Sequence, residues 1–180
     1  MRNAVLAATA DELLERGFER LSVTSVARRA GVHHTTVYRR WPTKSELILD
    51  AATELTRQRV PAPDLGDLRL DLHVYFSRLL EALEDPRVSA LVRSLIAAPN
   101  AEFVEERHRY WRDRFGVTAE IVDRAVARGE LEEGVEPWRL IELIAGPLWM
   151  RFLLTGLPVD ETFLDRTIND AIRALHAEPK

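Results

Sequence analysis

Residues 21–45 read LSVTSVARRAGVHHTTVYRRWPTKS and hold five basic side chains, Arg28, Arg29, Arg39, Arg40 and Lys44, without a single Asp or Glu. The stretch is interrupted at Ala30-Gly31-Val32. A short apolar-periodic block, a glycine turn and a second short block rich in Thr, His, Tyr and Arg are the parts of a helix-turn-helix, which lays one helix in the DNA major groove. Val26, Ala27, Ala30, Val32 and Val37 are spaced to close a small three-helix core with Leu6, Leu13, Phe18 and Leu21.

Working outward, the flanks are helical as well. A first helix is expected over about residues 2–16, with Val5, Leu6, Ala8, Leu13 and Leu14 inward and Gly17 as its stop. Ser22 is placed to cap a helix near 23–30, and the next helix covers about 34–40. Thr43 and Glu46 form a capping box that opens a helix running to about residue 59. Val60-Pro61-Ala62-Pro63 reads as a linker. Beyond it lie helical blocks near 67–84, 87–98, 101–128, 137–154 and 161–176, and no segment has a strand period. The expected fold is all-α with about nine helices. A three-helix helix-turn-helix domain occupies 1–59 (motif about 22–41), and a larger helical bundle occupies 60–180.

The charge follows this division. The 180 residues carry a net charge of −4, but residues 1–59 hold ten Arg and Lys against seven acids, whereas the remainder holds fifteen against twenty-two. A basic end on an acidic body orients the molecule in the field of a polyanion. The chain has no Cys, which excludes disulfide and thiolate chemistry. No apolar run approaches the ~20 residues of a membrane span, and the N-terminus lacks a signal-peptide layout. A cytoplasmic protein is expected.

The second helix of the motif presents His33, His34, Thr35, Thr36, Tyr38, Arg39 and Arg40 as candidates for the groove. Thr methyls suit thymine, His and Arg donate to guanine N7 and O6, and a Tyr hydroxyl suits a phosphate oxygen. Ser22 and Thr24 open the preceding helix, whose amides also suit phosphate. Lys44 stands in the first turn of the following helix, against the helix dipole, and a nearby phosphate would compensate for it.

The run Ser22-Val23, Val26-Ala27, Ala30-Gly31-Val32, Thr36-Val37-Tyr38, Trp41, Lys44 and Leu47 resembles the N-terminal domain of TetR-family transcriptional regulators over residues 2–59. The resemblance implies a short recognition helix, phosphate contacts from Thr36, Tyr38 and Lys44, and a homodimer on a palindromic operator. Two features depart from the family pattern. His33-His34 replaces the usual small or basic residues, so no base preference transfers. The chain begins almost inside the first helix, so the basic arm that many members carry is expected to be missing.

The body resembles a subset of the same family at Gly66-Asp67-Leu68-Arg69, at the run Arg124-Ala125-Val126-Ala127-Arg128-Gly129-Glu130-Leu131, and at Ala145-Gly146-Pro147-Leu148. This implies a small-molecule effector whose binding changes the separation of two recognition helices. The block 137–154 is apolar nearly all round, so one packing partner cannot cover it. Leu153 and the stripe Leu164, Ile168, Ile172 and Leu175 are therefore expected to form a twofold helical interface with a second copy. Pro147 should kink that block. Tyr75, Phe76, Leu79, Phe103, Tyr110, Trp111, Phe115, Trp149 and Phe152 are candidates for a pocket taking an apolar or aromatic effector, with Arg107 for an anionic group.

Two other classes fit poorly. No metal-ligand spacing, nucleophile elbow or Gly-rich phosphate loop accompanies the five His residues, so no catalytic site, metal or cofactor is expected. The other is a helical adaptor or sequence-independent DNA-packaging protein without small-molecule control; packaging proteins carry strong positive charge, and this chain is acidic.

Overall fold

The computed structural model describes residues 1–97 and 104–176. Its elements run α1 (Arg2–Arg20), α2 (Val23–Arg29), α3 (His34–Arg40), α4 (Lys44–Arg59), α5 (Leu68–Glu84), α6 (Pro86–Ala97), α7 (Val104–Ala127), α8 (Pro137–Trp149), a π-helical turn (Met150–Thr155) and α9 (Glu161–His176). The fold is all-α, with nine α-helices and no strand among the described residues. No helix there is long and apolar enough to cross a membrane.

The glycine stops operate through backbone geometry. At Gly17 the backbone leaves helical angles (φ 74°, ψ 172°), and a short last turn follows before Leu21. Gly31 sits at φ 68°, between α2 and α3. Both positions lie in the left-handed region that glycine enters without a Cβ clash. Thr43 Oγ1 accepts the Glu46 amide at 3.1 Å, the forward half of the expected capping box. Ser22 stands at the N-cap of α2 in extended conformation, but its side chain makes no cap bond.

The chain forms two compact units, Met1–Val60 with Leu80–Arg112, and Pro61–Leu79 with Asp113–Lys180. A single cut at 59/60 is thus not how the chain packs, because residues 80–112 join the DNA-binding helices. In the first unit α1 packs on α2, α4 and α6. Val5, Leu6, Leu13, Val26, Val37, Leu47 and Ile48 make its core with Leu91, Leu95 and Tyr110. Ion pairs Arg87–Asp11 and Arg59–Asp85, each 2.7 Å, hold α6 to α1 and α4. Phe18, Ala30 and Val32 pack against this core half-buried. Leu14 is exposed, contrary to expectation. It lies one step beyond the edge of the buried stripe of α1, which runs through Val5, Leu6, Thr9, Ala10, Glu12 and Leu13.

In the second unit α8 and α9 pack on each other. The linker is held by polar contacts. Arg124 donates to the Pro63 carbonyl, the Leu65 amide donates to buried Asp71 (2.7 Å), and the Leu68 amide donates to Glu130 (2.6 Å). The helix passes Pro147 in α-geometry to Trp149 and then widens into the π-helical turn, closed by Gly156.

Candidate nucleic-acid interface

The motif is built on a frame of buried and paired side chains. Trp41, 4% exposed, ends α3, and its indole Nε1–H donates to Asp50 Oδ2 on α4 at 2.9 Å. Arg2 pairs with that Asp50 and with Glu54 (2.7 Å to the latter), so α1, α3 and α4 are tied at one point. Hydrogen bonds to Glu54 and Asp50 raise the Arg2 guanidinium above its ordinary value, outweighing the opposing effect of burial. A second knot joins α1 to α2. Glu12 is 2% exposed and accepts from Ser25 Oγ–H at 2.8 Å, with Arg16 Nε at 3.1 Å from its other oxygen. Neither Glu12 nor Ser25 is among the site residues expected from the sequence. Their signal was phase, since both fall on the buried sides of their helices.

Against this frame α3 buries only Val37 and turns the rest outward. His33, His34, Thr35, Tyr38, Arg39 and Arg40 are exposed and Thr36 is half-buried. Tyr38 is 47% exposed, unusually open for a tyrosine in a packed domain. Among the described residues Arg39 and Arg40 make no ion pair; Arg40 lies over the Trp41 ring at 5.4 Å. On α2 Ser22 and Thr24 are exposed too.

Two candidates have internal duties that sequence reasoning missed. His33 is the N-cap of α3, its Nδ1 accepting the Thr35 amide at 3.4 Å and lying 2.8 Å from the Thr35 hydroxyl. With Nδ1 as acceptor, the neutral ring carries its proton on Nε2, where it is a donor. The His33 and His34 rings are 4.4 Å apart. Lys44 is half-buried, donating from Nζ to the Glu19 carbonyl at 3.3 Å and lying 4.5 Å over the Phe18 ring. Burial lowers its ammonium below the ordinary lysine value, against the pull of Glu19. Lys44 therefore closes the last turn of α1.

The body residues divide differently from the expected pocket. Tyr110 is in the core of the first unit with Trp111 packed against it, whereas Tyr75, Phe76, Leu79, Phe115, Trp149 and Phe152 belong to the second. Phe103 and the side chain of Arg107 lie outside the described residues. Tyr75 and Phe76 are buried edge to face, and buried Arg114 donates to the Tyr75 hydroxyl at 3.0 Å. Burial raises the Tyr75 phenol above its ordinary value, with Arg114 opposing. Phe115 meets Trp138 at a tilt, and Trp149 meets Phe152 edge to face. An open cleft of about 570 Å³ lies elsewhere in this unit, lined by Asp67, Leu68, Arg69, Glu130, Asn169, Ile172 and Arg173, and none of the expected aromatic residues lines it.

The apolar stripe of α9 also needs correction. Leu164 and Ile168 are fully buried within the chain and offer no surface to a partner. Leu153, Ile172 and Leu175 are half-buried, while Met150, Leu154 and Leu157 are exposed.

A short helix packed through one valine, with polar and cationic side chains turned outward beside a glycine turn, defines a helix-turn-helix DNA-binding regulator. Residues 5–51 match the bacterial regulatory proteins of the tetR family, and residues 62–171 match the tetracyclin repressor-like C-terminal domain. The chain belongs to the TetR family of transcriptional regulators. It is 34% identical over 160 residues to the HTH-type transcriptional regulator AqdR of Rhodococcus erythropolis, covering 88% of this chain and 76% of that protein. It is 33% identical over 181 residues to the DNA-binding transcriptional repressor TetR of Mycobacteroides abscessus, covering 97% and 93%. The crystal structure of the TetR family transcription regulator SCO0332 matches 96% of each chain with a TM-score of 0.82 at 27% identity.

Proposed function

We propose that this regulator is a repressor, not an enzyme, which acts in the cytoplasm as a homodimer on a palindromic operator and is released by a small apolar or aromatic effector. The observation that carries the reading is the outward face of α2 and α3. It gathers His34, Thr35, Tyr38, Arg39 and Arg40 on a frame that Trp41 and Glu12 hold rigid. Ser22, Thr24, Thr36 and Tyr38 are assigned to the phosphate backbone and His33, His34, Thr35 and Arg39 to base edges, with His33 donating from Nε2. Lys44 contributes by fixing the α1–α4 junction, with a phosphate contact as its second role. Repression is supported by the relative from Mycobacteroides abscessus, described as a repressor.

The dimer reading rests on the apolar surface left over after α8 and α9 pack. Leu154 is 76% exposed, and Met150 and Leu157 lie open near it. An apolar ridge on a helical hairpin favours a second copy, because a twofold axis covers both ridges at once. The effector reading rests on the aromatic content of the second unit, which holds the ring pairs Tyr75–Phe76, Phe115–Trp138 and Trp149–Phe152.

Selection of binding sites from a random duplex library at two salt concentrations tests the reading. An enriched palindrome is the expected result. A folded protein that enriches nothing refutes sequence-specific regulation.

A further inference from the structure

The five cations of the acid-free stretch have different fates, and two neighbours differ most. Arg29 is exposed but paired with carboxylates of α1. Its Nη2 donates to both oxygens of Glu15 at 2.6 and 2.7 Å, and Asp11 and Glu12 each lie 3.7 Å away. The Glu15 hydrogen bonds raise its guanidinium above the ordinary value. Arg28 is exposed as well, but among the described residues it has no carboxylate partner. Its one hydrogen bond there runs from Nη2 to Ser25 Oγ at 3.4 Å. Ser25 is buried and has a single hydroxyl proton, which goes to Glu12. Its lone pairs are therefore turned to the guanidinium, and the order of donation is Arg28 to Ser25 to Glu12. A guanidinium held this way keeps its remaining N–H donors for an outside acceptor. Thr24, one turn earlier, shares the exposed side of α2.

We propose that Arg28 anchors a backbone phosphate of DNA, aimed by the buried Ser25–Glu12 pair, and that Arg29 beside it takes no part in DNA contact. The inference rests on the DNA-binding reading above. An acceptor-only anion matches a fork of donors with no internal counter-charge, and phosphate is the one such group the duplex presents. Arg29, neutralised by Glu15 and flanked by Asp11 and Glu12, presents no net positive charge to a polyanion. Its role is to fasten α2 to α1.

The test is the salt dependence of binding to a labelled duplex of random sequence, which requires no knowledge of the operator. Each phosphate neutralised contributes about 0.9 to the slope of log K against log salt concentration. R28Q is expected to lower that slope by about 0.9 per subunit. R29Q, and R29K as a milder companion, are expected to keep the wild-type slope and lose thermal stability. S25A keeps the charge and removes the tether, so it should keep the slope while losing affinity by the same factor at every salt concentration. An unchanged slope in R28Q, or an equal fall in R29Q, overturns the assignment while wild-type binding leaves the regulator reading standing. Wild-type affinity in S25A overturns the positioning role of Ser25. If the wild type binds no duplex at low salt, the regulator reading and this inference fall together.

Discussion

Replacing Trp41 by Phe removes one hydrogen bond and part of one ring at the junction of α1, α3 and α4. The indole N–H donates to Asp50 at 2.9 Å from a site only 4% exposed. Hydrogen bonds to charged groups contribute about 1.5–3 kcal/mol. The low end applies, because Asp50 retains Arg2 and is not left bare. The smaller ring leaves roughly 40 Å³ unfilled, which at about 24 cal/mol per Å³ adds ~1 kcal/mol. The expected loss is thus about 2.5 kcal/mol. With an m-value of about 2 kcal/mol/M, the urea midpoint of the first unit, read by far-UV circular dichroism, should fall by ~1 M. A cycle pairing W41F with D50A should show a coupling of about 1 kcal/mol or more, since the two residues touch. Because Trp41 presents no surface, W41F should bind DNA with the wild-type salt slope when fully folded. A stability loss below ~0.5 kcal/mol, or no coupling to Asp50, refutes the argument that this bond ties the recognition helix to its frame.

Three other outcomes are expected. H33A should destabilise the first unit by about 0.5–1 kcal/mol through loss of the α3 cap, and H33N should restore stability; equal melting temperatures for wild type and H33A would remove the cap. Ile168→Asp should not fold, because it places an unpaired charge at a position with 0% exposure, whereas Leu154→Asp should fold normally and sediment as a monomer. A folded I168D refutes the burial of the α9 stripe, and a dimeric L154D removes the exposed ridge from the interface. The raised Tyr75 phenol makes folding pH-dependent at the alkaline end. Its contribution is complete below the ordinary tyrosine value of about 10 and is lost as pH rises through the folded value, so the urea midpoint of Y75F should fall less steeply there. Parallel declines in the two proteins would contradict it.

Much of the fold was legible because helix periodicity and helix stops are local signals. The breaks at Gly17, Gly31, Pro42 and Pro61 and the apolar phase of each block place nine helices close to where they lie. The outward face of α3 was legible for the same reason. With Val37 as the one apolar residue of a seven-residue helix, most of its polar residues must point away from the core. The recurring Gly31, Tyr38, Trp41 and Lys44 spacing then pointed to the family. Leu14 shows the resolution limit of such reading. The edge of a buried stripe depends on how wide the partner helix is, and that width is not in the periodicity of α1.

What the chain's order of residues determined by itself is therefore the set of helices, the polar face offered to DNA and the contrast between a basic end and an acidic body. What only tertiary packing decided is how each charge and each apolar stripe is used. Arg28 and Arg29 are neighbours of the same residue type; the carboxylates that separate them come from α1, at Asp11, Glu12 and Glu15. Lys44 reads as a free cation until the end of α1 brings Glu19 and Phe18 to it. Leu164 and Ile168 read as a surface awaiting a second copy until packing within the same chain buries them. Residues 80–112 read as part of the body until α6 packs on α1 and α4. The physical reason is common to all four. An apolar or charged side chain states what kind of neighbour it requires, but burial and ion pairing are satisfied in space, by residues whose distance along the chain carries no information about which of them will arrive.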